Sequence, residues 1–219
     1  MNGNIILYQN NNSLIKDSTF FEHTPILDVS STKELNYIKL YDNSIPYILC
    51  DEIIELFEKS NLKYEGITSN GLNKNIKDTI DLEIPNNEIW LNINNFLNDE
   101  LSRRLQNYIK NVEQTAFDKD MFIYKPYLIQ KYKKNSGKFI EHSDEYIYKE
   151  INSYRCVTFI WYLNDVNKGG ETVFWGDYKI TPKKGRLIFF PALWCFPHKG
   201  NIPLSSDKYI ITGWINIKY

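Results

Sequence analysis

The stretch SYRCVTFIWYLNDVNKGGETVFW, Ser153–Trp175, decides between helix and strand for the second half of this 219-residue chain. A run rich in β-branched and aromatic side chains reaches Leu163, a turn-forming NDVNKGG follows, and a second apolar run, ETVFW, begins at once. Such side chains fit a pleated surface, and short runs of them punctuated by Gly, Asn and Asp read as strands joined by tight turns. The same pattern recurs on both sides, in FIYKPYLIQKY (122–132), YKITP (178–182), RLIFFPA (186–192) and DKYIITGWINI (207–217). NSGK, KKGR and HKGN separate these runs.

Upstream of Asp118 the period is helical. Ile89, Ile93, Phe96, Leu97, Leu101, Leu105, Tyr108, Ile109 and Val112 recur at steps of three and four, the spacing of one helix face. A shorter helix is expected after Pro46, with Ser44 as N-cap and Leu49, Ile53, Leu56 and Phe57 as its apolar stripe. IKLYDNSI (38–45) reads as a strand, and the polar, glycine-containing segment 61–83 reads as a loop. Helices followed by a run of strands imply an α+β, mostly β domain whose strands close as a sandwich or barrel. The expected organisation is an irregular, Asn-rich extension over 1–36 with a short strand at Ile5–Tyr8, then one domain over 37–219. Within that domain, 46–113 is helical and 119–219 forms the strand core.

Composition excludes several classes. The formal net charge is −1 and no long basic run occurs, so nucleic-acid binding driven by bulk charge is not expected. No run of eighteen apolar residues marks a membrane span, and MNGNIILYQNNN lacks the basic-then-apolar order of a secretory signal. Cys50, Cys156 and Cys195 are odd in number and widely spaced, which fits a reducing compartment better than a disulfide framework or a zinc site. A cytoplasmic location is expected. The abundance of Asn, Ile, Lys and Tyr points to a low-GC genome, viral or microbial.

Chemistry concentrates in FIEHSDEYIY (139–148), where His142 and Asp144 stand two apart in a chain with three histidines. Residues i and i+2 of an extended segment point the same way. A 2-His-1-carboxylate iron site needs one more histidine, from elsewhere in the fold. His23 lies in the unpatterned N-terminal region and reads as a surface residue. His198 sits in FFPALWCFPHKGN, among strand-like aromatics, and Lys208 follows ten residues later. A cation there can reach into the same barrel and bind a carboxylate.

His142-x-Asp144, His198 and Lys208, in that order, resemble the iron(II)/2-oxoglutarate dioxygenases, and specifically their prolyl 4-hydroxylase branch. YKKNSGKFIEHSD, RCVTFIWYLNDVNKGGETVF, KITPKKGRLIFFP and HKGNIP…DKYIITGW carry the rest of the resemblance, which spans about 121–217. It implies a double-stranded β-helix, or jelly roll, buttressed by helices. It further implies Fe(II) held by His142, Asp144 and His198, and 2-oxoglutarate bound by Lys208 and Thr212 with Tyr132 and Tyr162. Arg155 and Trp214 are implied on the substrate side. O2 is the oxidant, succinate and CO2 are co-products, and ascorbate is an expected stimulant. The aromatics Phe159, Trp161, Phe189, Phe190, Trp194, Phe196 and Trp214 read as cavity wall or core. The expected partner is a proline-containing peptide or protein, with no nucleic acid and no membrane, and 61–83 is expected to act as a lid. Hydroxylation of a free amino acid or another small molecule is the alternative within enzymes. A catalytically inactive jelly-roll binding module is the alternative outside them.

Overall fold

The structure, a computed structural model, describes residues 37–112, 122–124 and 126–218. The strand expected at Ile5–Tyr8, the remainder of the extension and His23 lie outside the described residues. Within 35–219 the chain forms one unit. β1 (Lys39–Tyr41) and α1 (Tyr47–Lys59) are followed by three short strands, β2 (Tyr64–Glu65), β3 (Lys77–Asp78) and β4 (Ile80–Glu83). The long helix α2 (Glu88–Val112) precedes the core strands. These are β5 (Phe122–Tyr124), β6 (Leu128–Tyr132), β7 (Lys138–His142), β8 (Ile147–Tyr148), β9 (Ser153–Tyr162) and β10 (Thr172–Phe174). β11 (Tyr178–Ile180), β12 (Leu187–Pro191), β13 (His198–Gly200) and β14 (Lys208–Lys218) complete the set.

The strands form two antiparallel sheets. The larger runs β1-β12-β9-β14-β6-β4-β2, with β5 on β14 and β8 on β9; the smaller runs β11-β10-β13-β7-β3. This is a jelly roll. The strand period of two sorts its side chains. On the larger sheet Val157, Phe159, Trp161, Leu187, Phe189, Ile211 and Ile215 face α1 and α2, packing with Ile53, Phe57, Trp90, Ile93, Leu97 and Leu101. Their neighbours Ile160, Tyr162, Ile188, Phe190 and Ile210 face inward, toward Phe174 of the smaller sheet. Burying a side chain of this size stabilises by roughly 1.5–3 kcal/mol, so the helices stabilise the large sheet without entering the space between the sheets.

Four expectations need correction. Segment 61–83 is not all loop, because β2, β3 and β4 lie in it. Its alternation was hidden because the buried positions of one face around β3 and β4 are Lys77, Thr79 and Asp81, polar residues. Ser44 does not cap α1, whose first turn has no side-chain cap; its hydroxyl bonds Glu100 and accepts the Trp161 indole N–H. Ile89 is 67% exposed and Trp90 takes its place in the core. Trp194, at 73% exposed, is neither core nor cavity wall.

Candidate active site

β7 and β13 pair antiparallel in a register that sets His142 opposite His198. Opposed residues in such a ladder share a face, and the two imidazole centroids are 4.4 Å apart. Asp144, two residues past His142, turns to the same side. Its Oδ1 is 3.7 Å from His142 Nε2 and its Oδ2 is 3.6 Å from His198 Nε2. One ligand atom from each residue lies within 4.8 Å of the others, and no other such trio occurs among the described residues.

The surroundings fix the tautomers. His142 Nδ1 is 2.8 Å from the Ile140 carbonyl, and His198 Nδ1 is 3.1 Å from that of Phe196. A carbonyl only accepts, so each Nδ1 donates, and a neutral ring then keeps its Nε2 lone pair facing Asp144. Burial, and then the neighbouring His198, pulls the His142 pKa down to about 4, which keeps that ring neutral. Burial works against ionisation of Asp144, but His198, His142 and a 2.7 Å hydrogen bond from Thr158 outweigh it and hold its pKa below the usual carboxylate value. Phe139 stacks on His142 at 3.5 Å between centroids, leaving that ring little freedom to tilt.

The trio opens onto a cavity of about 580 Å³ lined by Ile67–Asn70, Tyr132, Arg155, Lys208, Thr212 and Trp214 among others. Lys208, Ile210, Thr212 and Trp214 are alternate residues of β14, so one strand face supplies them together. Lys208 is 1% exposed. Its Nζ donates to the Gly170 carbonyl at 3.0 Å and lies 3.8 Å over the Tyr132 ring, and no carboxylate of the described residues forms an ion pair with it. Burial pushes its pKa down to about 7, with Glu171 opposing. A buried ammonium with spare donors and no counterion is costly unless an anion joins it.

The other expected site residues divide. Arg155 is no solvated charge: its guanidinium lies 3.5 Å over the Trp214 ring, with bonds to the Tyr148 hydroxyl and the Asp144 carbonyl. Thr212 reaches the cavity, but its hydroxyl donates to the Phe159 carbonyl at 3.0 Å. Tyr132 meets the cavity, its ring beneath Lys208. Tyr162 stands behind the wall, fully buried, its hydroxyl bonded to Thr172, which does line the cavity. Sequence reasoning assigned no role to Thr158, although it lies in the quoted stretch RCVTFIWYLNDVNKGGETVF, or to Phe139, Lys77 and Asp81.

With this geometry in hand, comparison with known proteins is specific. Residues 127–216 match the 2OG-Fe(II) oxygenase superfamily model, a segment that holds the trio and Lys208. The chain is also 33% identical over 130 residues to prolyl 4-hydroxylase 13 of Arabidopsis thaliana, a match covering 46% of it. It spans 45% of that relative's length. Two solved structures share the fold over most of the chain. The viral collagen prolyl hydroxylase of Paramecium Bursaria Chlorella virus-1, in its 2OG complex, aligns with a TM-score of 0.60 at 22% identity, covering 84% of this chain and 97% of that one. The Trichoplax adhaerens prolyl hydroxylase bound to a hypoxia inducible factor peptide fragment aligns at 0.66 and 18%, covering 83% and 84%.

The donor set fits the iron that the family uses. Two imidazole nitrogens and one carboxylate oxygen lie together on the cavity wall, a donor set that would hold iron(II).

Proposed function

We propose that this protein is an iron(II)- and 2-oxoglutarate-dependent dioxygenase that hydroxylates prolyl residues in a peptide or protein. The observation that carries the reading is one cavity holding both the His142–Asp144–His198 trio and an unpaired buried lysine. A site with only the trio could hold many metals. The lysine adds a seat for a carboxylate at a fixed place in the same chamber.

In this reading His142, Asp144 and His198 hold iron(II), and Lys208 binds the far carboxylate of 2-oxoglutarate. The bound iron, with 2-oxoglutarate and O2, supplies an oxidant strong enough for an unactivated C–H bond and leaves succinate and CO2. The chain's own residues do the positioning. Thr158 holds one oxygen of Asp144, and the Ile140 and Phe196 carbonyls hold the two Nδ1 protons, so all three ligands are oriented before metal arrives. The Lys208 ammonium offers its remaining protons to the carboxylate, a charge-assisted contact made stronger by the absence of water. Thr212 joins it by exchanging its bond to the Phe159 carbonyl for one to the same carboxylate. Tyr132 backs the lysine with its ring face, and Tyr162 acts from behind through Thr172.

Arg155 and Trp214 form the substrate side. With two of its donors committed, the arginine keeps others free toward the cavity, suited to a peptide carbonyl, while the indole offers an apolar face to a pyrrolidine ring. The exposed turn Ile67–Asn70 forms part of the cavity wall. An open wall of this kind accommodates an extended chain, which favours a peptide over a free amino acid.

Proline-containing peptides and free amino acids, each incubated with enzyme, Fe(II), 2-oxoglutarate and ascorbate, test the reading by mass spectrometry and succinate release. The expected result is one added oxygen on proline within a peptide. Oxidation of a free amino acid with no peptide modified would replace it by the small-molecule alternative. No 2-oxoglutarate turnover and no metal binding would leave an inactive binding module.

A further inference from the structure

The buried pair Lys77–Asp81, whose lysine lines the cavity, has no part in the roles above. Lys77 in β3 and Asp81 in β4 are 4% and 1% exposed, and their charged groups meet at 2.6 Å. Desolvation offsets much of the attraction in such a pair, so stability alone is a poor reason for it. Contacts run outward from it in three directions. Lys77 Nζ donates to the Ile67 carbonyl at 3.3 Å, at the base of the turn that walls the cavity. The same ammonium lies 5.5 Å from the centroid of Phe139, the ring stacked on His142. Asp81 Oδ2 accepts from Gln130 Nε2 at 3.4 Å, and Gln130 Oε1 accepts from the Tyr132 hydroxyl at 3.3 Å, beneath Lys208. Thr79 donates to the other Asp81 oxygen at 2.7 Å. The loop base is pressed onto this group: a Cβ at Gly66 would stand 2.1 Å from Thr79 Oγ1 and 3.1 Å from Lys77 Cε.

We propose that the Lys77–Asp81 pair is a positioning latch that clamps residues 66–76 as one wall of the cavity. The inference rests on the reading of the cavity as an oxygenase site and names what holds its substrate-facing wall shut. A loop wall with few buried apolar contacts opens easily unless something buried anchors it. Ile67, Ser69 and Asn70 are exposed, so the anchoring falls to Gly66 and the Lys77 ammonium at one end and, at the other, to the Ile76 carbonyl, which accepts from the Ile140 N–H at 2.9 Å. Neither Lys77 nor Asp81 touches the reacting atoms; both act through the carbonyl and rings they hold.

The test uses the full chain with Lys77→Met, Lys77→Arg and the double variant Lys77→Met/Asp81→Asn, which leaves no unpaired buried charge. Trypsin cleavage after Lys74, an exposed residue of the loop, reads the wall directly. Lys77→Met should raise that rate about tenfold while the circular dichroism spectrum stays native, with Lys77→Arg restoring it, the behaviour of a local opening released by one lost charge-assisted contact. In turnover the peptide KM should rise about tenfold in Lys77→Met and the 2-oxoglutarate KM less than about twofold, because only the wall has been freed. Unchanged cleavage after Lys74, or a parallel rise of both KM values, overturns the latch. If Lys77→Met does not fold, the double variant carries the same comparison; if neither folds, the pair is a core element and the proposal fails. Wild-type protein that turns over no 2-oxoglutarate would sink the assigned activity, and the cleavage rates would still decide the latch.

Discussion

Lys208 shows how one residue's setting becomes a measurable property. Its pKa is pushed down to about 7 because burial disfavours the ammonium and Glu171 only partly compensates. A bound dicarboxylate restores the counterion and lifts that pKa again. Above pH 7 binding must therefore take up a proton, while below pH 7 the lysine is already charged. The expected outcome is a 2-oxoglutarate affinity that is flat below about pH 7 and weakens above it, by up to about tenfold per pH unit. Calorimetry in buffers of different ionisation enthalpy reads the proton uptake. In Lys208→Met the slope should vanish and affinity should fall more than tenfold, since losing a charge-assisted pair in a secluded pocket costs about 2–5 kcal/mol. If affinity is unchanged, the carboxylate partner lies elsewhere, with Arg155 next. The trio gives a simpler expectation: His142→Ala, Asp144→Ala and His198→Ala each abolish iron-dependent turnover with the fold retained. Metal analysis and thermal unfolding check it, and wild-type turnover in any one of them removes that residue from the ligand set.

At the level of single elements, β14 carries the most information. From Lys208 to Ile215 its even positions face the cavity and its odd positions face the helices, and Gly213 is the odd one out on the helix side. A Cβ there would lie 2.5 Å from the Phe159 ring tip and 3.0 Å from the next ring atom. Phe159 is 2% exposed and cannot move aside cheaply. Gly213→Ala should thus cost about 1–3 kcal/mol as overpacking, read as a lower urea midpoint with an unchanged m-value; an unchanged midpoint would show that the ring relocates. Strands such as β9, β12 and β14 were legible in the sequence because both faces are buried and their residues are β-branched and aromatic almost throughout. The trio and Lys208 were legible because residue types and order survive where geometry cannot be seen. β3 and β4 were not, because their inward positions carry Lys77 and Asp81, polar residues whose burial makes sense only once they are paired. The cap expected at Ser44 failed for a related reason: its hydroxyl is held by Glu100, 56 residues away, and no local rule contains that partner.

The whole molecule places a costly feature, an unpaired buried cation, in the space between two sheets that its helices and large sheet can support. Folding and ligand binding are therefore linked. The native pKa of Lys208 lies below its value in the unfolded chain, so between about pH 7 and 10.5 the unfolded chain holds the extra proton. The ligand-free protein gains stability from this group as pH rises through that window, and the full penalty applies below it. A bound 2-oxoglutarate that pairs the ammonium works in the opposite sense, stabilising most at the lower pH. At a hundredfold excess over its dissociation constant, a ligand binding only the native state adds about 2.7 kcal/mol, or roughly 5–10 °C in Tm for a chain of this size. With Mn(II) standing in for iron, the Tm gain on adding 2-oxoglutarate at fixed concentration should be larger at pH 6.5 than at pH 8.5. Lys208→Met should keep its response to Mn(II) and lose most of its response to 2-oxoglutarate. Equal gains at both pH values, or a full 2-oxoglutarate response in the variant, would mean that the lysine's charge is not what the cavity offers its ligand.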